Sequence, residues 1–327
     1  MSTSDLVVDA ATTLARLYGK SYGALVASGQ AAIELALELA FVGLGDEVVV
    51  PADGCHLVPA AVVRRGARPV FAALDDDLTM SLPAVVSKIT ERTRAVVAIH
   101  HLGLPTAVRA IRNAIPPSIT VIEDASLAFG LMSGGDSVGS SADFVVTSFG
   151  PGKPLTLGGG GAVFGDQPLL ATAMRRYGPE ARGGDFAPRS FALHPCAVNQ
   201  LSEAIDAATA LVAHRRAVVA TLRGLLKRTG FRVWTGREGD DPTWHRLPVW
   251  PSSDELFGAA TAGVTWQAVG QLPYEVVLTD IPMFATVSTG KASGSSSPKP
   301  PVLLLRTDAS DAIEAWCRSI PAEFVQS

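Results

Sequence analysis

The 327-residue chain is 47% hydrophobic and 18% charged, with a formal net charge of −4. That composition supplies a sizeable buried core, and with no basic run it excludes nucleic acid and anionic membrane surfaces as natural partners. Its three cysteines, Cys55, Cys196 and Cys317, are too far apart for a disulfide framework or a Cys-x-x-Cys metal pair, which points to a reducing compartment.

The opening stretch MSTSDLVVDAATTLARLYG has no basic segment followed by an apolar one, so no signal peptide is expected. No apolar run reaches the roughly 18 residues needed to span a bilayer. A cytoplasmic protein without a membrane span is the expectation. Strand signals follow at Ala24–Ala27, Glu47–Val50, Pro69–Leu74, Ala95–His100, Thr120–Glu123, Phe144–Phe149 and Ala162–Phe164. Helix-length stretches separate the earlier ones, at Ala31–Val42, Leu57–Arg65, Leu82–Thr90 and Thr106–Ile115. Apolar strands alternating with helical crossovers predict a mostly parallel sheet covered on both faces, an α/β fold. The last two strands are joined by loop, so the sheet is expected to be mixed there. After Pro195 a long helical stretch, Ala197–Lys227, leads into a smaller region with few clear strands. Within it, Ser288–Pro301 reads as a flexible loop. The domain boundary is placed near residue 215, giving a large domain over 1–215 and a small one over 216–327.

The chemistry concentrates in residues 148–161, SFGPGKPLTLGGGG. A glycine-rich loop with a lysine suggests a phosphate. A P-loop would need Gly at 147 and a hydroxyl residue after Lys153, where Thr147 and Pro154 stand. A dinucleotide fingerprint belongs after the first strand, whereas these glycines follow the sixth. Both nucleotide readings fail. What remains is a lysine presented near a strand end, with Asp124 closing the strand TVIED and Ser28-Gly29-Gln30 opening a helix whose free N–H groups favour a phosphate. A phosphate cradle, a buried acid, and a Ser148–Lys153 pair five residues apart fit pyridoxal phosphate (PLP): lysine for the Schiff base, aspartate for the pyridinium nitrogen, serine and helix amides for the phosphate.

These segments resemble the DegT/DnrJ/StrS sugar aminotransferases, which are fold-type-I PLP enzymes. The resemblance is carried by SGQAAIELAL, GLGDEVVVP, GARPVFAALD, TRAVVAIHHLG, VIEDASLAFG and SFGPGKPLTLGGGGAV, in family order over roughly residues 20–180. It implies Lys153 as the catalytic Schiff-base lysine, Asp124 at the pyridine nitrogen, Ser148 as a phosphate ligand, and the Gly29 and Gln30 amides as the cradle. It further implies a homodimer whose partner subunit reaches the phosphate, with Ala192 or His194 nearest to that position. The chain departs from the family at Gln30 (usually Thr), Cys55 (usually an aromatic stacked on the ring), Leu127 (usually Gln) and Gly159 (usually Glu). His56, beside Cys55, could supply the stacking face with a one-residue shift. The implied activity is transfer of an amino group from an amino acid to a keto-sugar or similar small polar carbonyl compound. The alternatives are another PLP reaction (elimination, racemisation, C–C bond formation) or a lapsed homologue serving as a regulatory or scaffold partner. His100 and His101 either face the cleft or make structural hydrogen bonds. His194, His214 and His245 lack ligand spacing, so no metal is expected.

Overall fold

The computed structural model describes residues 3–170, 172, 198–227, 229–261, 269–271, 303–307 and 315. Ala192, His194, Cys196, Cys317 and the Ser288–Pro301 loop lie outside them.

A seven-stranded sheet organises the larger part. Its strands are β1 (Tyr22–Val26), β2 (Glu47–Pro51), β3 (Arg68–Ala72), β4 (Thr93–Ile99), β5 (Thr120–Asp124), β8 (Phe144–Ser148) and β9 (Gly161–Gly165), in the order β1-β9-β8-β5-β4-β2-β3. All the pairings from β3 across to β8 are parallel; β9 alone runs against its neighbours β8 and β1. The loop-joined pair β8–β9 is therefore where the sheet turns mixed, since a return without a helical crossover reverses the strand. Every residue of β2 is buried, as a parallel strand covered on both faces requires.

One face packs under α2 (Gly29–Leu39) and α3 (Leu57–Arg64), with Val26, Val50, Val97, Ile122 and Val146 beneath Leu35 and Val62. The other face carries α1 (Thr3–Leu17), α4 (Leu82–Ser87) and α5 (Val108–Ala114). The sequence pattern had not marked α1, nor the short hairpin of β6 (Met132–Ser133) and β7 (Asp136–Ser137). Phe41 ends the α2 turn in a left-handed conformation, φ 56°, so the helix stops short of Val42.

The smaller region is more regular than its sequence suggests. Four short strands, β10 (Phe231–Val233), β11 (Arg246–Pro251), β12 (Val269–Gln271) and β13 (Leu303–Arg306), form an antiparallel sheet in the order β10-β11-β13-β12. With α7 (Asp254–Thr261) they enclose Leu247, Val249, Leu256 and Leu303–Leu305. The long α6 (Leu201–Leu226) serves both cores: Leu201 and Ala208 pack with the large sheet, Val218, Val219, Leu222 and Leu226 with the small one. The two cores also interlock directly. Leu78 and Leu102, from loops of the large sheet, are buried in the small core, and Trp234 donates from Nε1 to the Asp77 carbonyl at 2.8 Å. Among the described residues no helix is long and apolar enough to cross a membrane, and no three His, Cys, Asp or Glu side chains stand together as a metal site.

Candidate active site

In an open parallel sheet, ligands bind beyond the carboxyl ends of the strands. Strand pairing puts the predicted polar residues there and on one face. Asp124, the last residue of β5, pairs with Val146 of β8, and Ser148 follows two residues on, so both side chains project to the α2 side. Asp124 is buried, and its Oδ1 accepts the Ser126 N–H at 2.9 Å. That bond fixes the carboxylate while the second oxygen remains available.

The amino end of α2 meets this edge. Ser28 caps the helix: its Oγ accepts from Ala31 N at 3.1 Å and its carbonyl from Ala32 N at 3.0 Å. The N–H groups of Gly29 and Gln30, one turn ahead of any helical acceptor, are left to face outward as an anion-binding end. Gly29 lies against Ser148; a Cβ on Gly29 would sit 2.7 Å from Ser148 Cβ and 3.1 Å from its Oγ. Glycine here lets the helix end and the serine hydroxyl address one small group.

The loop carrying Lys153 is tied to the same place. Phe149 N donates to Gly160 O at 2.9 Å, and Leu157 N and Thr156 Oγ1 both donate to Phe149 O. Gly160 in turn bridges Ser28, the α2 cap. Lys153 is half-buried, and its ammonium makes no hydrogen bond or ion pair among the described residues. Of the six lysines in the sequence, Lys20 and Lys88 precede β1 and β4 at the opposite edge, Lys227 follows α6, and Lys291 and Lys299 are outside the described residues. Lys20 is moreover engaged, donating to Ala142 O and paired with Asp166. Lys153 is thus the described lysine on the carboxyl edge.

The remaining predicted residues are placed less closely. Gln30 turns its amide along the helix to Glu34, 3.3 Å away. Cys55 and His56 are exposed where β2 gives way to α3, two strands from β5, or roughly 10 Å at sheet spacing. Leu127 is partly buried, and its carbonyl accepts from Thr243 Oγ1 of the smaller region. His100 makes a structural bond, Nε2 to Glu123 at 2.8 Å, on the back of the sheet. His101 is buried, and loss of hydration lowers its pKa to about 4. A cavity of about 370 Å³ opens on that back face beside α5, lined in part by Arg109, Asn113, Glu123, Asp136 and Arg237. Its two arginines are engaged by Asp136 and Asp240, and none of the predicted site residues lines it.

A mostly parallel sheet covered by helices on both faces, with a smaller antiparallel sheet beside it, is the fold of the fold-type-I PLP-dependent transferases. Comparison with known proteins narrows this further. The chain belongs to the DegT/DnrJ/EryC1/StrS aminotransferase family, whose model matches residues 5–293. It is 33% identical over 279 residues to an L-glutamine:2-deoxy-scyllo-inosose aminotransferase from Streptomyces fradiae, covering 77% of this chain and 66% of that one. It covers 41%, 47% and 61% of three other curated relatives, so it spans less than two thirds of their length. The crystal structure of S. venezuelae DesV, solved with a ketimine intermediate, superposes with a TM-score of 0.78 at 26% identity over 95% of this chain and 89% of that one. The PLP form of Spr1654 from Streptococcus pneumoniae shares the fold, with a TM-score of 0.79 at 18% identity over 96% and 91% of the two chains.

Proposed function

We propose that this chain is a PLP-dependent aminotransferase, with an amino acid as donor and a keto-sugar or similar small polar carbonyl compound as acceptor. The observation that carries the reading is the convergence of the Gly29 helix end, Ser148, Asp124 and the Lys153 loop on one edge and one face of the sheet. These residues fit the phosphate, ring-nitrogen and aldehyde ends of PLP in turn. When bound, PLP supplies an electron sink that lets a proton leave the carbon bearing the amino group.

The protein's own contributions follow from the geometry. The Gly29 and Gln30 N–H groups and the Ser148 hydroxyl hold the phosphate dianion at a positive helix end. Asp124, its Oδ1 anchored by Ser126, offers its other oxygen to the ring nitrogen and keeps the proton there. Lys153 tethers the cofactor through its amine; once displaced by the donor, the same amine carries a proton from the donor's α-carbon to the carbon that was the aldehyde. At position 55, where the family usually has an aromatic, Cys55 would offer the ring no stacking face. In the same reading the chain works as a cytoplasmic homodimer and divides near residue 215, which the change of packing partners along α6 supports.

Borohydride reduction of the PLP-loaded protein and peptide mapping should place the pyridoxyl group on Lys153; a label elsewhere, or none, refutes the assignment. L-glutamine or L-glutamate alone should then convert the cofactor to its pyridoxamine form, with one 2-oxo acid released per site. If no amino acid does so while a substrate is consumed and the original spectrum returns, the chemistry is another PLP reaction.

A further inference from the structure

Behind Asp124, on the opposite face of the sheet, lies a buried polar pair that the proposed reaction does not use. Glu123 and His100 are 3% and 1% exposed. Adjacent residues of a strand face opposite sides, so Glu123 is the back face of the residue pair whose front is Asp124. His100 Nδ1 accepts the Thr106 N–H at 3.1 Å and so carries no proton, which leaves Nε2–H to donate to Glu123 Oε1 at 2.8 Å. Glu123 Oε2 accepts the Gly139 N–H, also at 2.8 Å. Two donors therefore face two oxygens, and only a carboxylate offers acceptors at both ends.

The pair links several segments around the strand end on its back face. His100 continues β4, whose Ile99 pairs with Asp124 and whose Ile99 carbonyl takes the Thr106 hydroxyl at 2.6 Å. Gly139 belongs to the connection into β8, and a side chain there would stand 2.2 Å from the Tyr18 carbonyl, at the end of α1. Tyr18 stacks on Phe164 of β9 at 5.0 Å. One carboxylate thus joins the β4, β5 and β7–β8 segments and, through Gly139, the α1 end.

Building on the function proposed above, we propose that Glu123 and His100 are positioning residues: from behind the sheet they fix the carboxyl end of β5 so that Asp124 meets the PLP ring nitrogen in one orientation. In Glu123→Gln an amide replaces one acceptor by a donor, and the tautomer of His100 cannot change to meet it because Thr106 N–H holds Nδ1. One donor is orphaned and the strand end loosens.

The test uses full-length apoprotein titrated with PLP labelled with ¹⁵N in the ring, in wild type, Glu123→Gln, His100→Gln (which keeps a donor near the Nε2 position) and His100→Leu (which does not). Wild type should bind and show a protonated ring nitrogen at pH 7. Glu123→Gln and His100→Leu should bind on the order of tenfold more weakly, about 1.4 kcal/mol, with the ¹⁵N signal moved toward the unprotonated position. His100→Gln should recover most of both. Glu123→Gln and His100→Leu variants that melt lower yet bind PLP with the wild-type affinity and ¹⁵N signal would overturn the proposal. Wild-type protein that binds no PLP would instead refute the functional reading itself. A further readout needs no variant: in wild-type protein labelled with ¹⁵N-histidine, the His100 ring should be a single Nε2–H tautomer whose signals shift when PLP binds. Signals that ignore PLP would also overturn the proposal.

Discussion

Substituting Gly29 by Ala isolates the phosphate cradle. The new methyl would stand 2.7 Å from Ser148 Cβ, whereas comfortable carbon–carbon contact is about 3.5–4.0 Å. Neither atom can rotate away, since each Cβ is fixed by its own backbone, so the helix end must withdraw from the strand end by about 1 Å. A phosphate bridging the Gly29 and Gln30 amides and the Ser148 hydroxyl cannot follow both. A hydrogen bond stretched from about 2.8 to about 3.8 Å is lost, and a bond to a charged group contributes about 1.5–3 kcal/mol. PLP affinity should therefore fall roughly 10- to 150-fold. Stability should fall by about 1–3 kcal/mol, the cost of overpacking, since Gly29 opens the helix and the interior advantage of Ala over Gly does not apply there. Titrating apoprotein with PLP and, in parallel, with pyridoxal separates the causes. Pyridoxal lacks the phosphate, so its affinity should not move. PLP affinity within twofold of wild type, or an equal loss for both ligands, would show that this contact does not form the phosphate site.

Lys153→Ala should retain PLP only non-covalently: borohydride should leave no pyridoxyl label, and dialysis should strip the cofactor. Label persisting on the variant would mean that another lysine reacts. His101 gives a pH prediction. Its pKa falls from the ordinary 6.5 to about 4 on folding because burial disfavours its charged form, so the unfolded chain binds the extra proton between those values. Stability should accordingly drop as pH falls from 6.5 to 4, by an upper limit of about 3 kcal/mol; His101→Gln should remove that part of the loss, and an unfolding free energy that falls equally with pH in both proteins, measured by denaturant melts, would refute it. Leu78→Gly tests the junction between the two cores. It relieves a left-handed non-glycine residue, φ 67°, gaining about 1–2 kcal/mol, but removes a buried leucine side chain at about 2–5 kcal/mol. Net destabilisation of roughly 1–3 kcal/mol is expected in a thermal melt, and a stabilised variant would show that Leu78 does not anchor the small core.

Much of this protein is determined by the sequence alone. The short, mainly apolar strands at 47–50, 95–100 and 120–123, separated by helix-length stretches, point to a parallel sheet because helical crossovers return each strand in the same direction and cover both faces. Ser28-Gly29 declares a helix start, and Lys153 stands out as a lysine in a small, apolar and glycine-rich setting. Asp124 and Ser148 are proposed from strand ends and Gly29 from a helix start, Lys153 from the composition of its loop, and Cys55 and Leu127 from the family resemblance alone. Short, weakly patterned strands such as 231–233 and 303–306 are another matter: three or four residues carry too little periodicity to be told from loop, and they become a sheet only by pairing with β11 and packing on α6. The same holds for chemistry that depends on what lies opposite. Glu123 reads as a neighbour of Asp124 until strand alternation sends it to the other face, against His100 and Gly139. Periodicity along the chain sets which way a side chain leaves the backbone; only the tertiary structure decides what it meets, because the partners come from segments far apart in sequence.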